Sequence, residues 1–273
     1  QLECAGVEYF DFYLMHAQQK NNYDQYKKAH AYEVAKQLKD EGKIKHIGIS
    51  FHDTAEFLDK ILTEHPEIEV VQLQFNYLDY EDPNVQSKLC YEVATKHNKP
   101  VIVMEPVKGG SLVNLPNEAN QILKGLNGGS NASYAIRFAA SFPNVFMVLS
   151  GMSNMEQLTD NVSFMKEFKP LNEKEYSALK EVVNVFKTLP TIPCTSCKYC
   201  VDGCPKKIQI PDLFRDYNFV VQFNDKSAKD WYNHHVTNHG KAMDCIKCGK
   251  CEKICPQHLP IRDLLVKVSK TFD

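Results

Sequence analysis

Phe10-Asp-Phe-Tyr-Leu-Met15, Lys45-His-Ile-Gly-Ile-Ser50, Val70-Val-Gln-Leu-Gln-Phe75, Val101-Ile-Val-Met104 and Val145-Phe-Met-Val-Leu149 decide the fold. Each is a short run rich in β-branched or aromatic residues with turn chemistry nearby, and each reads as a strand. Helical patterns fill the intervals. Residues 23–41 place Tyr26, Ala29, Val34 and Leu38 on one broad face, with Gly42 as a C-terminal stop. Asp53 is the expected N-cap of a helix over 54–63. Residues 83–97 set Val85, Leu89, Val93 and Ala94 at helical spacing, closed by Asn98-Lys-Pro100. Residues 130–141 and 155–164 follow. A β-α unit repeated about five times predicts a parallel sheet covered by helices.

The strand starts are spaced as in an eightfold barrel, where ~250 residues serve eight units. Five units fit in residues 1–190. Either the sheet is open, or three units precede Gln1. The chain begins Gln-Leu-Glu-Cys, without initiator Met, basic n-region or apolar h-region, and reads as a piece of a longer chain. The expected fold class is therefore α/β, a partial (β/α)8 TIM-type barrel holding about the last five βα units. Leu189-Pro-Thr-Ile-Pro193 ends that region, because two prolines in four residues stop a helix and stiffen a linker. The second domain is 191–273.

Composition narrows the function. Of 273 residues, 43% are apolar and 24% charged, which is ordinary for a globular chain and excludes disordered and collagenous classes. Lys and Arg number 32 against 34 Asp and Glu, so no strong field draws the chain to nucleic acid or to anionic lipid. No apolar run approaches the ~18 residues of a membrane span.

Eight of the ten cysteines fall between Cys194 and Cys255. Cys194-Thr-Ser-Cys197-Lys-Tyr-Cys200-Val-Asp-Gly-Cys204-Pro205 and Cys245-Ile-Lys-Cys248-Gly-Lys-Cys251-Glu-Lys-Ile-Cys255-Pro256 share the spacing C-x2-C-x2-C-x3-C-P. Disulfides suit short secreted chains, zinc prefers paired C-x2-C units, and free core cysteines have no reason to be spaced this way. The run resembles the bacterial two-cluster ferredoxin signature, whose fourth cysteine serves the other cluster. The resemblance implies one [4Fe–4S] centre on Cys194, Cys197, Cys200 and Cys255, and a second on Cys245, Cys248, Cys251 and Cys204. The flanks repeat as well: Cys204-Pro-Lys-Lys-Ile-Gln-Ile-Pro-Asp-Leu-Phe214 against Cys255-Pro-Gln-His-Leu-Pro-Ile-Arg-Asp-Leu-Leu265. The module is thus an internal duplication. Helical patterns over 213–223 and 226–239 make it a small α-helical ferredoxin-like domain. From Cys194 onward 13 Lys and Arg stand against 9 Asp and Glu, an excess that offsets the negative charge of clusters and thiolates.

Tyr9-Phe-Asp11-Phe-Tyr13-Leu-Met-His16, Glu41-Gly-Lys-Ile-Lys-His-Ile-Gly-Ile-Ser50 and Gly151-Met-Ser153-Asn-Met-Glu-Gln157-Leu-Thr-Asp160-Asn161 occur in that order. Together they resemble the aldo/keto reductase superfamily, and the whole chain is similar to its ferredoxin-bearing members. The resemblance implies an (α/β)8 barrel that binds NAD(P)H across its carboxyl-end face and transfers hydride to a small carbonyl substrate. His16 matches the His of a catalytic Asp, Tyr, Lys and His. The other three belong to earlier strands, so residues 1–273 alone are expected to be inactive as a reductase. Ser50 and Gln72 match positions that bond the nicotinamide amide. Gly151, Ser153, Gln157, Asp160 and Asn161 form a loop entering a helix N-terminus, a seat for phosphate or ribose. No basic residue there marks a 2′-phosphate, which leaves NAD and NADP open. Phe51 stands where Asn is common, and Glu105 where an aromatic residue stacks on the nicotinamide.

Other candidates read as structure. His235 and His239, at i and i+4 beside His234, form a solvated helix face. Trp231 and Tyr232 pack that helix. Asn127-Gly-Gly-Ser130 is a turn, and Lys108-Gly-Gly110 is a turn or a pyrophosphate contact. The leading reading is an aldo/keto reductase-like oxidoreductase whose clusters carry single electrons, working with a carbonyl substrate or a redox partner protein. One alternative is an electron-transfer protein whose barrel has lost hydride chemistry. Another is a pair of clusters that only staple an interface. Oxygen-sensitive clusters and the lack of an export signal point to the cytoplasm, in an anaerobic setting.

Overall fold

A computed structural model describes residues 1–126, 128–224 and 227–273. The predicted turn at Asn127 and the predicted helix start at Lys226 lie outside them. The chain divides into two compact units, Gln1–Val113 with Gln121–Val183 and Asn114–Asn120 with Asn184–Asp273.

The first unit is built on five parallel strands in chain order: β1 (Phe10–Gln18), β2 (Ile44–Phe51), β3 (Val70–Gln74), β4 (Val101–Met104) and β5 (Val145–Val148). Ile47 and Ile49 of β2 and Val71 and Leu73 of β3 are buried, as strands covered by helices require. Leu58 and Ile61 of the helix Ala55–Glu64 are fully buried, each contributing roughly 1.5–3 kcal/mol over an exposed position. On β2 the opposite parity is small or polar from His46 onward, at His46, Gly48 and Ser50. A Cβ on Gly48 would lie 2.3 Å from Leu14 Cδ2 and 2.6 Å from Val70 Cγ1, so only glycine lets the neighbouring strands fill that face. The sheet is strongly curled. Phe12 of β1 and Phe146 of β5, on its two edge strands, bring their ring centroids to 5.3 Å.

Several helices differ from the sequence reading. Residues 23–41 form two helices, Tyr23–Lys28 and Ala31–Asp40, because His30 adopts a left-handed φ of 52°. The break turns Tyr32 and Ala35 inward and leaves Val34 47% exposed. Tyr32 then stacks on His65 and donates to Gln18 Oε1. The cap at Ala55–Glu64 is Thr54. Asp53 accepts from the Thr54 and Lys20 amides instead, tying the ends of β1 and β2 together. The next helix starts at Ser87, after the Asp82 carboxylate has turned the chain through the amides of Asn84 and Val85.

In the second unit, helices Ile210–Phe223, Ala228–Val236 and Ile261–Phe272 share a core of Leu213, Phe214, Leu265 and Val268. Tyr232 is buried, stacks on Phe272 at 4.5 Å and donates to the Asp273 carboxylate. Trp231 is 59% exposed and does not pack the helix as expected. His235 departs from the expected solvated face. Its Nδ1 lies 2.8 Å from Asp216 Oδ2, where the carboxylate is almost fully buried. His239 lies beyond the helix end, so the i, i+4 pairing does not exist.

Candidate functional site

The two cysteine loops share one backbone path. Left-handed φ values recur at matching positions: 54° at Ser196 and 57° at Lys247, 65° at Lys198 and 72° at Gly249, 52° at Lys207 and 51° at His258. Five of these six residues are not glycine, and such conformations cost roughly 1–3 kcal/mol each unless the surroundings hold them. Alternating right- and left-handed residues turn successive amides toward a common anion, which is what thiolate-bound clusters need. A short helix, Tyr199–Asp202 or Lys250–Ile254, follows each loop. The prolines after Cys204 and Cys255 keep those residues out of helix.

The loops exchange their last cysteines. One cavity is ringed by Cys194, Cys197, Cys200 and Cys255, the other by Cys204, Cys245, Cys248 and Cys251. The remaining walls of both are largely apolar. Among the described residues no three His, Cys, Asp or Glu side chains converge as ligands of a single ion. The four thiols instead ring a space. Burial, with the neighbouring Cys194 adding to it, pushes the Cys200 thiol up to about 12, and burial also raises Cys194 and Cys251. Desolvated thiols of this kind give up their protons to iron and not to water. The donor set, the left-handed turns of both loops and the apolar walls fit a pair of [4Fe–4S] clusters.

The carboxyl end of the sheet gathers the other predicted residues. His16 lies within β1, which runs on to Gln18 through an irregularity after Met15. Its side chain is exposed, in a groove along the strand edge with Tyr26, Val34 and Leu38. Tyr26 Oη donates to its backbone oxygen. Ser50 sits across from Gln72 in the β2–β3 register. Ser50 Oγ accepts the Ala17 amide at 2.7 Å, holding Ala17 at φ 49°, and keeps its own proton to donate.

Gly151, Ser153, Gln157, Asp160 and Asn161 line one broad groove with Glu105 and Gly109. The helix Met155–Met165 opens into it, capped by Asn154, whose Oδ1 accepts the Gln157 amide. Gln157 Oε1 reaches back to the Ser153 amide, Asp160 accepts from Ser130 Oγ, and Asn161 donates to Ser150 Oγ. Among the described residues the charged side chains lining the groove are Glu105, Glu156 and Asp160, with no Lys or Arg.

Two features escaped the sequence reading. His52 shares the parity of Ser50 at the end of β2. Burial holds its imidazole below the ordinary value; Glu105 opposes this and His16 adds to it, so His52 feels both groups at the sheet's end. The second feature is the pair Asp79 and Lys108. Lys108 Nζ lies 2.7 and 2.8 Å from the two oxygens of the buried Asp79, which also accepts from Gln74 and Asn76. Lys108 is therefore committed to Asp79 and not turned to a pyrophosphate. The Asn76 side chain, accepting the Leu78 and Asp79 amides and donating to Glu105 O, fixes this corner and holds Glu105 at φ 54°. The parity of His52 was open to reading; a pairing across 29 residues was not.

Comparison with known proteins places both units. Residues 1–184 match the aldo/keto reductase family model, and residues 193–259 match that of the 4Fe-4S dicluster domain. Similar solved structures include the holo form of aldo-keto reductase AKR11C1 from Bacillus halodurans, with TM-score 0.52 and 22% identity over 66% of this chain and 61% of that one. An aldo-keto reductase from Klebsiella pneumoniae in complex with NADPH gives TM-score 0.52 and 18% identity over 67% of this chain and 61% of that one. Among curated proteins, a component of the ion-translocating oxidoreductase complex of Buchnera aphidicola is 28% identical over 105 residues, 34% of this chain and 19% of that protein. A component of the acetyl-CoA decarbonylase/synthase complex of Methanosarcina acetivorans, its alpha 1 polypeptide, is 23% identical over 82 residues, 28% of this chain and 8% of that protein. The chain thus spans less than two thirds of these structures and under a fifth of these curated relatives. No helix among the described residues is long and apolar enough to cross a membrane. The chain belongs to the aldo/keto reductase family and carries, after its α/β region, a 4Fe-4S dicluster domain.

Proposed function

We propose that this chain is part of an iron–sulfur oxidoreductase that couples an aldo/keto reductase-type barrel to two one-electron centres. The observation that carries the reading is the exchange of Cys204 and Cys255 between two four-cysteine cavities. Cys194, Cys197, Cys200 and Cys255 would hold one cluster, and Cys204, Cys245, Cys248 and Cys251 the other.

In the barrel, the groove at the helix N-terminus fits a nicotinamide dinucleotide with a free ribose 2′-hydroxyl. Amides at a helix start favour phosphate oxygens, and carboxylates such as Asp160 and Glu156 accept from ribose hydroxyls and repel a 2′-phosphate. Ser50 and Gln72 would bond the carboxamide, and His16 would donate toward the carbonyl oxygen of a substrate. The nicotinamide, when bound, supplies hydride. Hydride carries two electrons and each cluster takes one, so coupling calls for a redox partner protein that splits the pair, a flavoprotein being one class able to do so. The relatives named as parts of larger redox complexes agree with a protein partner.

A second reading is favoured by Glu105, a strained acidic residue where an aromatic ring is expected. In it, the barrel binds no nucleotide and the chain only relays electrons. Titration of NADH and NADPH against the anaerobically prepared protein separates the two. Quenched NADH fluorescence with weaker NADPH binding supports the first, and no response to either supports the second. Residues 1–273 by themselves are expected to reduce no carbonyl compound, and measured turnover would overturn that statement.

A further inference from the structure

The duplication supplies an internal control. Every residue of the first loop has its counterpart 51 positions on, Cys194 with Cys245 and Cys204 with Cys255. The backbones agree, but the linings do not. Lys206, Lys250 and Arg262 line the cavity of Cys204, Cys245, Cys248 and Cys251. Their counterparts are Gln257, Tyr199 and Pro211, and among the described residues no charged side chain lines the cavity of Cys194, Cys197, Cys200 and Cys255. Arg262 is held by Glu252 at 2.8 Å, which offsets its charge. Among the described residues Lys206 and Lys250 pair with no carboxylate, and both are exposed, so solvent screens part of their charge.

Burial differs in the same direction. Cys200 and Cys255, in the uncharged cavity, are 8% and 9% exposed, whereas their counterparts Cys251 and Cys204 are half-buried. Reduction adds one negative charge to a cluster. That charge costs more in a drier site without cations and less in a wetter one rimmed by lysines. Ile210 lines both cavities, so the two centres are neighbours and an electron can equilibrate between them.

We infer that the two clusters differ in reduction potential. The one on Cys204, Cys245, Cys248 and Cys251 is the more positive, with Lys206 and Lys250 setting the gap. The first electron to enter the pair rests there. This rests on the reading of the eight cysteines as cluster ligands. The step is a one-electron reduction of one cluster, with no bond made or broken.

The test is a potentiometric titration of the full chain with dithionite, followed by electron paramagnetic resonance, after iron and sulfide have been measured. Two reduction steps are expected, with at least a tenfold preference for one cluster, or about 59 mV for a single electron. Lys206→Gln and Lys250→Gln should each lower the upper potential and leave the lower one in place, and the double variant should narrow the gap further. The mirrored change, Gln257→Lys, should raise the lower potential alone. Coincident steps in the unaltered protein overturn the inference, as do lysine variants that move the lower step, both steps equally, or neither. Protein devoid of iron and sulfide after anaerobic reconstitution defeats the ligand reading and this inference together; a full iron complement with coincident steps defeats the inference alone.

Discussion

The cysteine sites and the carboxyl end of the sheet are built on opposite plans. In the second unit each cavity takes three of its cysteines from a stretch of seven residues and one from the duplicate loop. The chemistry is local and repeated, so it is written in spacing. In the first unit His16, Ser50, Gln72 and the Asp160 groove come from different strands and loops, and the polar groups between them are largely spent on one another. Ser50 holds Ala17, Asp79 holds Lys108, and Gln157 holds Ser153. The first plan depends on a prosthetic group for its cohesion. The second stands on packing and internal ion pairs.

The exchange of fourth cysteines is the sharpest point at which to break this contrast. Cys255→Ser should abolish the cluster of Cys194, Cys197 and Cys200, although the change lies 55 residues beyond the last of them. Bound iron and sulfide should fall by about half or more, since ligand binding and local folding are coupled at such sites. Cys90→Ser is the matching control. Cys90 is buried in the first unit, where burial raises its thiol to about 12, and it lines neither cluster cavity. Iron content should not change. Loss of the cluster on Cys245, Cys248 and Cys251 in Cys255→Ser, with the other one kept, would show that each loop uses its own fourth cysteine.

The cohesion of the first unit is tested at Arg137 and Glu175. The guanidinium meets both carboxylate oxygens at 2.8 and 2.9 Å, and its Nε donates to Lys169 O. Burial alone would raise the Glu175 carboxyl, but Arg137 and the Asn172 amide bring it below its usual value. Arg137→Met leaves a buried carboxylate without its partner and should cost about 3–5 kcal/mol. Urea denaturation should show this with the iron content unchanged. The sign with pH follows from the depressed value. The contribution is complete above the ordinary glutamate range, near pH ~4.3, and is lost as pH falls through the lower folded value. The variant should therefore lose less stability than the parent on going from pH 7 into that acid range. A parallel loss would remove Glu175 from the account.

The same division explains what the sequence disclosed. The strands were legible because a buried parallel strand is a short run of Val, Ile and Leu, as in Val101–Met104. The grouping of the eight cysteines was legible because spacing and proline repeat together. Pairings between distant residues were not: Arg137 with Glu175, Asp79 with Lys108 and His235 with Asp216 lie 38, 29 and 19 residues apart, and no local pattern marks them. The break at His30 was hidden for another reason. Helical periodicity continues across it, and the buried Tyr32 and Ala35 win over the face that Val34 and Leu38 suggest. The acidic lining of the groove required two distant parts of the chain, Glu105 and the start of the helix Met155–Met165, to be brought together.

The smallest effect is expected at His16, and it separates a residue held for chemistry from one held for the fold. The structural duty at this position falls to the backbone, whose oxygen accepts from Tyr26 Oη; the imidazole is exposed. Exposed side chains without such duties usually change stability by no more than about 0.5 kcal/mol when replaced. His16→Gln should stay within that limit, with iron content and secondary structure unchanged. Its electrostatic trace should still be measurable. His16 helps to hold the His52 imidazole below its ordinary value, so its removal should move the His52 titration upward in an NMR pH series. A clear loss of stability would make His16 a packing residue. An unmoved His52 would show that the two imidazoles do not share the same end of the sheet electrostatically, which leaves His16 too far from the groove to act on anything bound there.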